Sequence, residues 1–200
     1  MKSNHSINSK FYFFTDKITD LIKINILKFD NISIIYKSNA KNIDLKDLLD
    51  IKKFCKNNLI KFYVADNYKL AVKLKANGLF ISANNKNYIP CYEKKSKFEL
   101  IGAAHNQSEY FFKTQQKINR IFLSPIFINN KYSENEILGL TKFNILSLNW
   151  KTTVYALAGI NLDNIKRIFL TKSAGIGFVS LIYNPKIKKP VCFFSRRVFY

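Results

Sequence analysis

Ile121-Phe122-Leu123-Ser124-Pro125-Ile126-Phe127 and Tyr155-Ala156-Leu157-Ala158-Gly159-Ile160-Asn161 are the two segments that decide the fold. Each is an apolar run that stops abruptly at small or turn-forming residues, and each is followed by a polar stretch and then a helical pattern. A strand buried on both faces is apolar throughout rather than alternating, because helices cover the outer face of a parallel sheet. The carboxyl ends of such strands are where parallel α/β folds place their ligand sites.

Working outward, six further short runs repeat the pattern: Phe11–Thr15, Ile32–Tyr36, Lys61–Ala65, Leu79–Ser82, Phe98–Gly102 and Gly175–Ser180. Helical spacing separates them. Asp16 is placed to cap a helix carrying Ile18, Leu21, Ile22 and Ile26, and Asp44 to open one with Leu45, Leu48, Leu49 and Cys55 on one side. Leu70, Ala71 and Leu74 follow the third strand, with Asn77-Gly78 as a helix C-cap signal. Helices are also expected from about Ser108 to Lys117, from about Glu136 to Leu148, and after Asn161, where Leu162, Ile165, Ile168 and Phe169 recur. Pro90 forbids a clean helix through residues 83–97. Eight strands alternating with helices predict a single (β/α)8 TIM barrel over residues 11–183, preceded by a disordered segment 1–10 and followed by a basic tail 184–200.

Composition narrows the function classes. A 48% hydrophobic content over 200 residues supports a substantial core in one domain. No apolar run reaches the ~18 residues of a membrane span, and Met1–Lys10 lacks the apolar region of a secretion signal, so no membrane association and a cytoplasmic location are expected. Cys55, Cys91 and Cys192 are odd in number and widely spaced, which disfavours a disulfide framework or a zinc site. The net charge of +20 first suggests nucleic acid. However, the lysines are scattered and arginine is confined to Arg120, Arg167, Arg196 and Arg197, as an AT-rich coding sequence would give. A solvated basic surface that captures phosphorylated metabolites is expected, and no nucleic-acid partner.

In a barrel the site candidates are the residues after each strand. These include Lys37, Ser38 and Asn39 after the second, Asp66 and Asn67 after the third, and Asn84 and Asn85 after the fourth. His105 and Asn106 follow the fifth, and Ser124, Asn129, Asn130 and Lys131 the sixth. Gly159 ends the seventh strand and Val179-Ser180 the eighth, the pair of loops that commonly cradle phosphate through backbone N–H groups. Asp66 is either a ligand for Mg²⁺ bridging to a diphosphate or the N-cap of the next helix. His105 is either a general base or phosphate donor, or simply a hydrogen-bonding loop residue.

Phe11 to Asp16, Phe62-Tyr63-Val64-Ala65-Asp66-Asn67 with Leu70-Ala71, Gly78 to Ser82, Ile101 to Asn106, Ser124-Pro125-Ile126-Phe127 and Ala156 to Asn161 form an ordered set. Over about residues 11 to 183 that set resembles the thiamine-phosphate synthase and thiazole tautomerase superfamily. The resemblance implies a transferase that joins an aminopyrimidine methyl diphosphate to a thiazole phosphate. Mg²⁺-bound diphosphate leaves first, and the thiazole nitrogen captures the pyrimidine methylene cation. It implies small phosphorylated substrates as partners, and self-association into a homo-oligomer.

Carried onto this sequence, the resemblance makes Asp66 and Asn85 the metal positions, and Lys37, Ser124 and Lys131 the catalytic ones. Asn39, Asn106, Asn129, Gly159, Val179 and Ser180 become substrate-binding positions. The chain departs from the family at Ile35 (glutamine), Asn39 (lysine), Asn85 (the second metal aspartate), Ala103 or Ala104 (serine) and Asn129-Asn130 (a threonine pair). Pro125 stands where the tautomerase branch has its catalytic histidine. A relative that binds thiazole or thiamine phosphate without turnover is the alternative, and a basic nucleic-acid-binding protein the third.

Overall fold

Eight parallel strands close into one barrel in sequence order, β1 to β8, with β8 returning to pair with β1. The structure, a computed structural model, describes residues 11–37, 44–87 and 98–184. The strands are β1 Phe11–Thr15, β2 Ile32–Tyr36, β3 Lys61–Ala65, β4 Gly78–Ile81, β5 Glu99–Ala104, β6 Arg120–Leu123, β7 Thr153–Leu157 and β8 Ile176–Phe178. The helices are α1 Asp20–Ile26, α2 Leu45–Asn57, α3 Tyr68–Lys73, α4 Gln107–Gln115 and α5 Gly139–Asn149, with short 3-10 turns at Glu134–Glu136, Ile165–Leu170 and Leu181–Tyr183. No helix among the described residues is long and apolar enough to cross a membrane. The expected segment 1–10, the tail beyond Asn184, Asn39, Cys91 and Cys192 lie outside the described residues.

The strands are apolar runs because both of their faces are buried. Outward-facing Phe13, Ile34, Phe62, Val64, Leu79 and Ile121 pack beneath the helices. Inward-facing Tyr12, Phe14, Ile35, Tyr63, Phe80, Phe122 and Tyr155 fill the barrel itself. Aromatic rings there meet edge to face, with Tyr12–Phe122 centroids 5.1 Å apart and Phe14–Phe80 5.0 Å apart. Gly177 makes room for them: a Cβ there would come 2.8 Å from Phe122 and 2.9 Å from Phe14. The amino-terminal mouth is closed by Glu99, whose carboxylate accepts from Lys61 Nζ (2.7 Å), Tyr63 Oη (2.6 Å) and the Arg120 guanidinium. Burial by itself would raise that carboxyl, but the Lys61 and Tyr63 hydrogen bonds and the Arg120 charge outweigh it and hold it below the usual range.

Several local expectations are corrected. Asp16 is exposed and caps nothing; Thr19 is the N-cap of α1 and accepts from Ile22 N–H. Asp44 does cap α2, accepting from Lys46 and Asp47 N–H, but the buried face is Leu48, Ile51 and Cys55, with Leu49 exposed. Burial in this apolar face pushes the Cys55 thiol up to about 12, so it stays protonated. Asn77-Gly78 is not a helix end. Lys75, at φ 50°, makes the left-handed turn after α3, while Gly78 starts β4 where a Cβ would sit 2.0 Å from the Glu99 carbonyl oxygen.

Strand β6 stops at Leu123, short of Phe127, at the cis Ser124–Pro125 peptide. The chain stays beside β7 nonetheless: Ile126 N–H donates to Leu157 O (3.1 Å) and Phe127 N–H to Ala158 O (3.3 Å). The stretch after Asn161 forms only a short 3-10 turn, with Phe169 exposed.

Candidate functional site

A cavity of about 510 Å³ opens at the carboxyl ends of the strands. Of the expected residues it brings together Lys37, Ser124, Asn129, Lys131, Gly159, Val179 and Ser180, along with His105. Phe14 and Phe80 reach it from the barrel interior, so its floor is aromatic and its rim basic. Volume and lining suit a small molecule with an apolar body and polar or anionic groups.

Gly159 shows most plainly why a residue type is required. Its φ is +74°, and a Cβ would fall 2.2 Å from the carbonyl oxygen of Phe127, so the loops after β6 and β7 touch only because the side chain is missing. Ala158 before it is also left-handed at φ 74°. The turn is pinned by Asn164 Nδ2–H donating to Gly159 O (2.8 Å), while Asn161 Oδ1 accepts from the N–H of Asp163 and Asn164. Among the described residues the backbone N–H groups of Gly159, Val179 and Ser180 have no backbone acceptor, and their residues face the same cavity.

The adjoining loop after β6 carries Lys131, whose ammonium lies 5.2 Å from the centre of the Tyr132 ring. Asn129 shapes that loop: its Oδ1 accepts from the N–H of Lys131 (2.8 Å) and Tyr132 (3.1 Å). Ser124 is buried beside the cavity, its N–H donating to Ala104 O. His105 is oriented by Glu109, which accepts from its Nδ1 (2.8 Å) and from its backbone N–H (2.6 Å). A carboxylate can only accept, so Nδ1 carries a hydrogen and the ring presents its Nε2 edge away from Glu109.

Asn106 falls elsewhere. It is the N-cap of α4, accepting from Glu109 N–H, and borders a second cavity of about 390 Å³ lined also by Lys86, Ser108 and Phe112. Residues not singled out from sequence include Tyr132, Phe14 and Phe80. The aromatic positions follow from the inward alternation of β1 and β4, a signal the sequence does contain.

Asp66 and Asn85 meet each other but do not line the cavity, which their neighbours Ser82, Ala83 and Asn84 border. Asp66 is not the cap of α3, because Asn67 takes that place and accepts from Leu70 N–H. Asp66 itself is exposed and left-handed, at φ 55°, a conformation that aspartate tolerates better than most residues. Its Oδ1 accepts from Ser82 N–H (2.9 Å) and Asn85 Nδ2–H (2.9 Å); Oδ2 has no hydrogen bond among the described residues.

The expected metal position Asn85 therefore turns its amide hydrogens, not its carbonyl, towards the carboxylate. Its Oδ1 accepts from Asn87 N–H (3.0 Å). Below the loop the fully buried Lys113 ammonium donates to Ser82 O (2.7 Å), Asn85 O (2.7 Å) and Gln116 Oε1 (3.2 Å). Desolvation brings that lysine down to about 8, with the Asp66 charge opposing the shift.

A resident divalent ion does not fit this donor set. No group of three or more histidine, cysteine or acidic side chains converges among the described residues. One carboxylate oxygen is left without a hydrogen bond among the described residues, and Asn85 offers it no second anionic oxygen, whereas Mg²⁺ needs near-octahedral oxygen donors.

The sequence profile described as thiamine monophosphate synthase matches residues 31–182. The chain is similar to the thiamine-phosphate synthase of Flavobacterium psychrophilum, with 29% identity over 139 residues that span 66% of this chain and 68% of that one. It is also similar to the thiamine-phosphate synthase of Pelagibacter ubique, with 26% identity over 96% of this chain and 97% of that one. The solved structure of a thiamine phosphate pyrophosphorylase from Pyrococcus furiosus superposes with a TM-score of 0.69, covering 86% of this chain and 85% of that one at 18% identity, a likeness of fold.

Proposed function

The chain belongs to the thiamine monophosphate synthase family, and from that premise we propose that it is a transferase joining an aminopyrimidine methyl diphosphate to a thiazole phosphate. The observation that carries this is one cavity with an aromatic floor, Phe14 and Phe80, whose mouth is lined by the lysines Lys37 and Lys131 and by the loop residues Gly159, Val179 and Ser180. Two phosphorylated rings need cationic and amide partners at one mouth, and the lysines suit the diphosphate and the loop amides the monophosphate.

In this proposal the bond from the pyrimidine methylene carbon to the diphosphate oxygen breaks, and the electron pair leaves with diphosphate. Lys37 and Lys131 neutralise the growing negative charge. The methylene carries the positive charge over the floor made by Phe14 and Phe80, which excludes water and stabilises a cation through its ring electrons. The thiazole nitrogen, held by its phosphate on the Gly159–Ser180 wall, then donates its lone pair to form the new carbon–nitrogen bond. Mg²⁺ carried in by the diphosphate substrate would meet Asp66 as the protein's carboxylate and would supply further neutralisation of the leaving group. Mg²⁺ characteristically binds through one or two carboxylates plus substrate phosphates.

A second reading, ligand binding without turnover, is favoured by one specific observation: the Asn85 amide hydrogens occupy the carboxylate oxygen that a second acidic ligand would leave open. Purified protein with both substrates and Mg²⁺, assayed for thiamine phosphate beside Asp66→Asn, separates the two. Asparagine keeps the left-handed backbone and removes the charge. Product that falls at least ~10²-fold in the variant is the expected result; absence of product with thiazole phosphate still bound supports the second reading and overturns the first.

A further inference from the structure

A fully buried lysine beneath a site loop is costly and calls for a physical reason. Transferring an ammonium out of water is offset only when its hydrogens are all received by acceptors. Lys113 meets that condition with three: the carbonyls of Ser82 and Asn85 and the side chain of Gln116. Gln116 adds its own donors, Nε2–H to Asn85 O (3.2 Å) and to Asn87 O (2.7 Å). The neighbouring strand leaves space for the lysine stem at Gly102, where a Cβ would come 3.3 Å from Lys113 Cδ and 3.0 Å from Ile118.

On the opposite side of the same loop, Ser82 N–H and Asn85 Nδ2–H hold Asp66. Ser82 and Asn85 thus each give a carbonyl to the buried cation and a hydrogen to the carboxylate. The loop is a two-residue bridge between opposite charges.

We infer that Lys113 is a positioning residue that organises the 82–87 loop and aims Asp66, so that this half of the site is formed in the free chain without a divalent ion. In a site built around a resident ion, the loop would be ordered by the metal and loosened by a chelator. Here the ordering charge is covalently attached. The inference bears on the transferase reading without depending on it, because loop order is measured with no substrate and no turnover.

Hydrogen exchange of the whole chain locates the effect. Three amides report on the loop: Ser82 N–H to Asp66, Asn85 N–H to Ser82 O (3.1 Å) and Asn87 N–H to Asn85 Oδ1. In the unmodified protein their protection is expected to agree within about twofold between millimolar MgCl₂ and EDTA. Lys113→Met, which keeps the unbranched stem, is expected to lose at least about tenfold protection at these three amides while the strand amides of β1 and β2 stay within about twofold. Its affinity for inorganic diphosphate with Mg²⁺ is expected to weaken at least about fivefold, with inorganic phosphate binding unchanged, a split that a general loss of stability would not produce. Tenfold greater protection of the unmodified loop in MgCl₂ than in EDTA would overturn the inference, as would full protection in Lys113→Met. Should that variant not fold, Gln116→Ala carries the same comparison with a smaller expected loss, and the magnesium comparison on the unmodified chain decides independently.

Discussion

Replacing Gly159 with alanine should damage this protein more than the same change at Gly139, and the difference measures how tightly the loops after β6 and β7 meet. Both glycines are left-handed, Gly159 at φ +74° and Gly139 at φ +62°, so both substitutions incur the backbone term of roughly 1–2 kcal/mol for a Cβ in that region. Nothing lies within 4 Å of a Cβ on Gly139, so its cost stops there. On Gly159 the Cβ would approach Phe127 O to 2.2 Å, Phe127 C to 2.5 Å and Ile128 O to 2.7 Å, all backbone atoms that cannot rotate aside. Ordinary contact requires about 3.4 Å or more, so the loops must part by about an ångström, adding about 1–3 kcal/mol of overpacking.

The totals are about 1–2 kcal/mol for Gly139→Ala and about 2–5 kcal/mol for Gly159→Ala. At roughly 2–4 °C per kcal/mol for a chain of this size, the second should melt several degrees below the first. Thermal unfolding followed by circular dichroism, with urea melts for the free energies, provides the comparison. Thiazole phosphate binding by calorimetry should fall for Gly159→Ala and persist for Gly139→Ala, which lies off the cavity. Equal melting temperatures for the two variants would refute the close-approach argument, and undiminished phosphate binding in Gly159→Ala would refute the amide wall.

Other consequences are sharp enough to measure. Glu99→Gln should cost about 2–3 kcal/mol at neutral pH by leaving Lys61 and Arg120 without their shared anion. Because the folded carboxyl lies below its unfolded value of 4.5, its contribution is complete well above that value and disappears as pH falls through the lower folded one. Urea unfolding should therefore show a smaller gap between Glu99→Gln and the parent at about pH 3 than at pH 7, and an equal gap at both would contradict the assigned shift. Lys37→Ala and Lys131→Ala should each weaken inorganic diphosphate binding by about five- to tenfold and lessen its salt dependence, with little change in stability, since both side chains are exposed. Retention of full affinity in the double variant would remove the proposed diphosphate wall.

The barrel was legible because burial on both faces writes each strand as an unbroken apolar run, a signal that survives even where strands are four residues long. Strand and helix ends were less legible for a physical reason. Asp16, Thr19, Asp66 and Asn67 are all competent caps, and which of two neighbours is used depends on the angle at which the chain leaves the strand. Asn77-Gly78 misled similarly: the glycine answers a close approach from Glu99 on the adjacent strand, a neighbour 21 positions away that no local pattern contains. Most of the cavity lining followed from strand order alone, since a barrel sends every strand end to one mouth. Asn106 did not, because at the amino end of α4 its side chain satisfies the helix rather than the mouth.

Lys113 illustrates where sequence reasoning stops. Tyr110 and Lys113 lie at i and i+3 on the buried face of α4, so the helical period alone places a charge in the core. A buried charge implies a partner, but the partner here is backbone, the carbonyls of Ser82 and Asn85, which carry no side-chain signature. Asparagine at 85 looks, in the sequence, like a weakened metal site. In the structure it has one hydrogen on the carboxylate, one carbonyl on the ammonium and a side-chain oxygen on Asn87, so the same substitution that removes an anionic ligand also completes a hydrogen-bonded loop. The loss of negative charge at 85 and the presence of a positive charge at 113 are then coupled. Restoring the acid alone, with Asn85→Asp, would set two carboxylates face to face and lose the hydrogen bond from Nδ2. It is expected to destabilise the free chain by about 1–3 kcal/mol, an effect that Mg²⁺ should reduce in a urea melt. Improved stability of Asn85→Asp in EDTA would show that the loop does not depend on the asparagine donor.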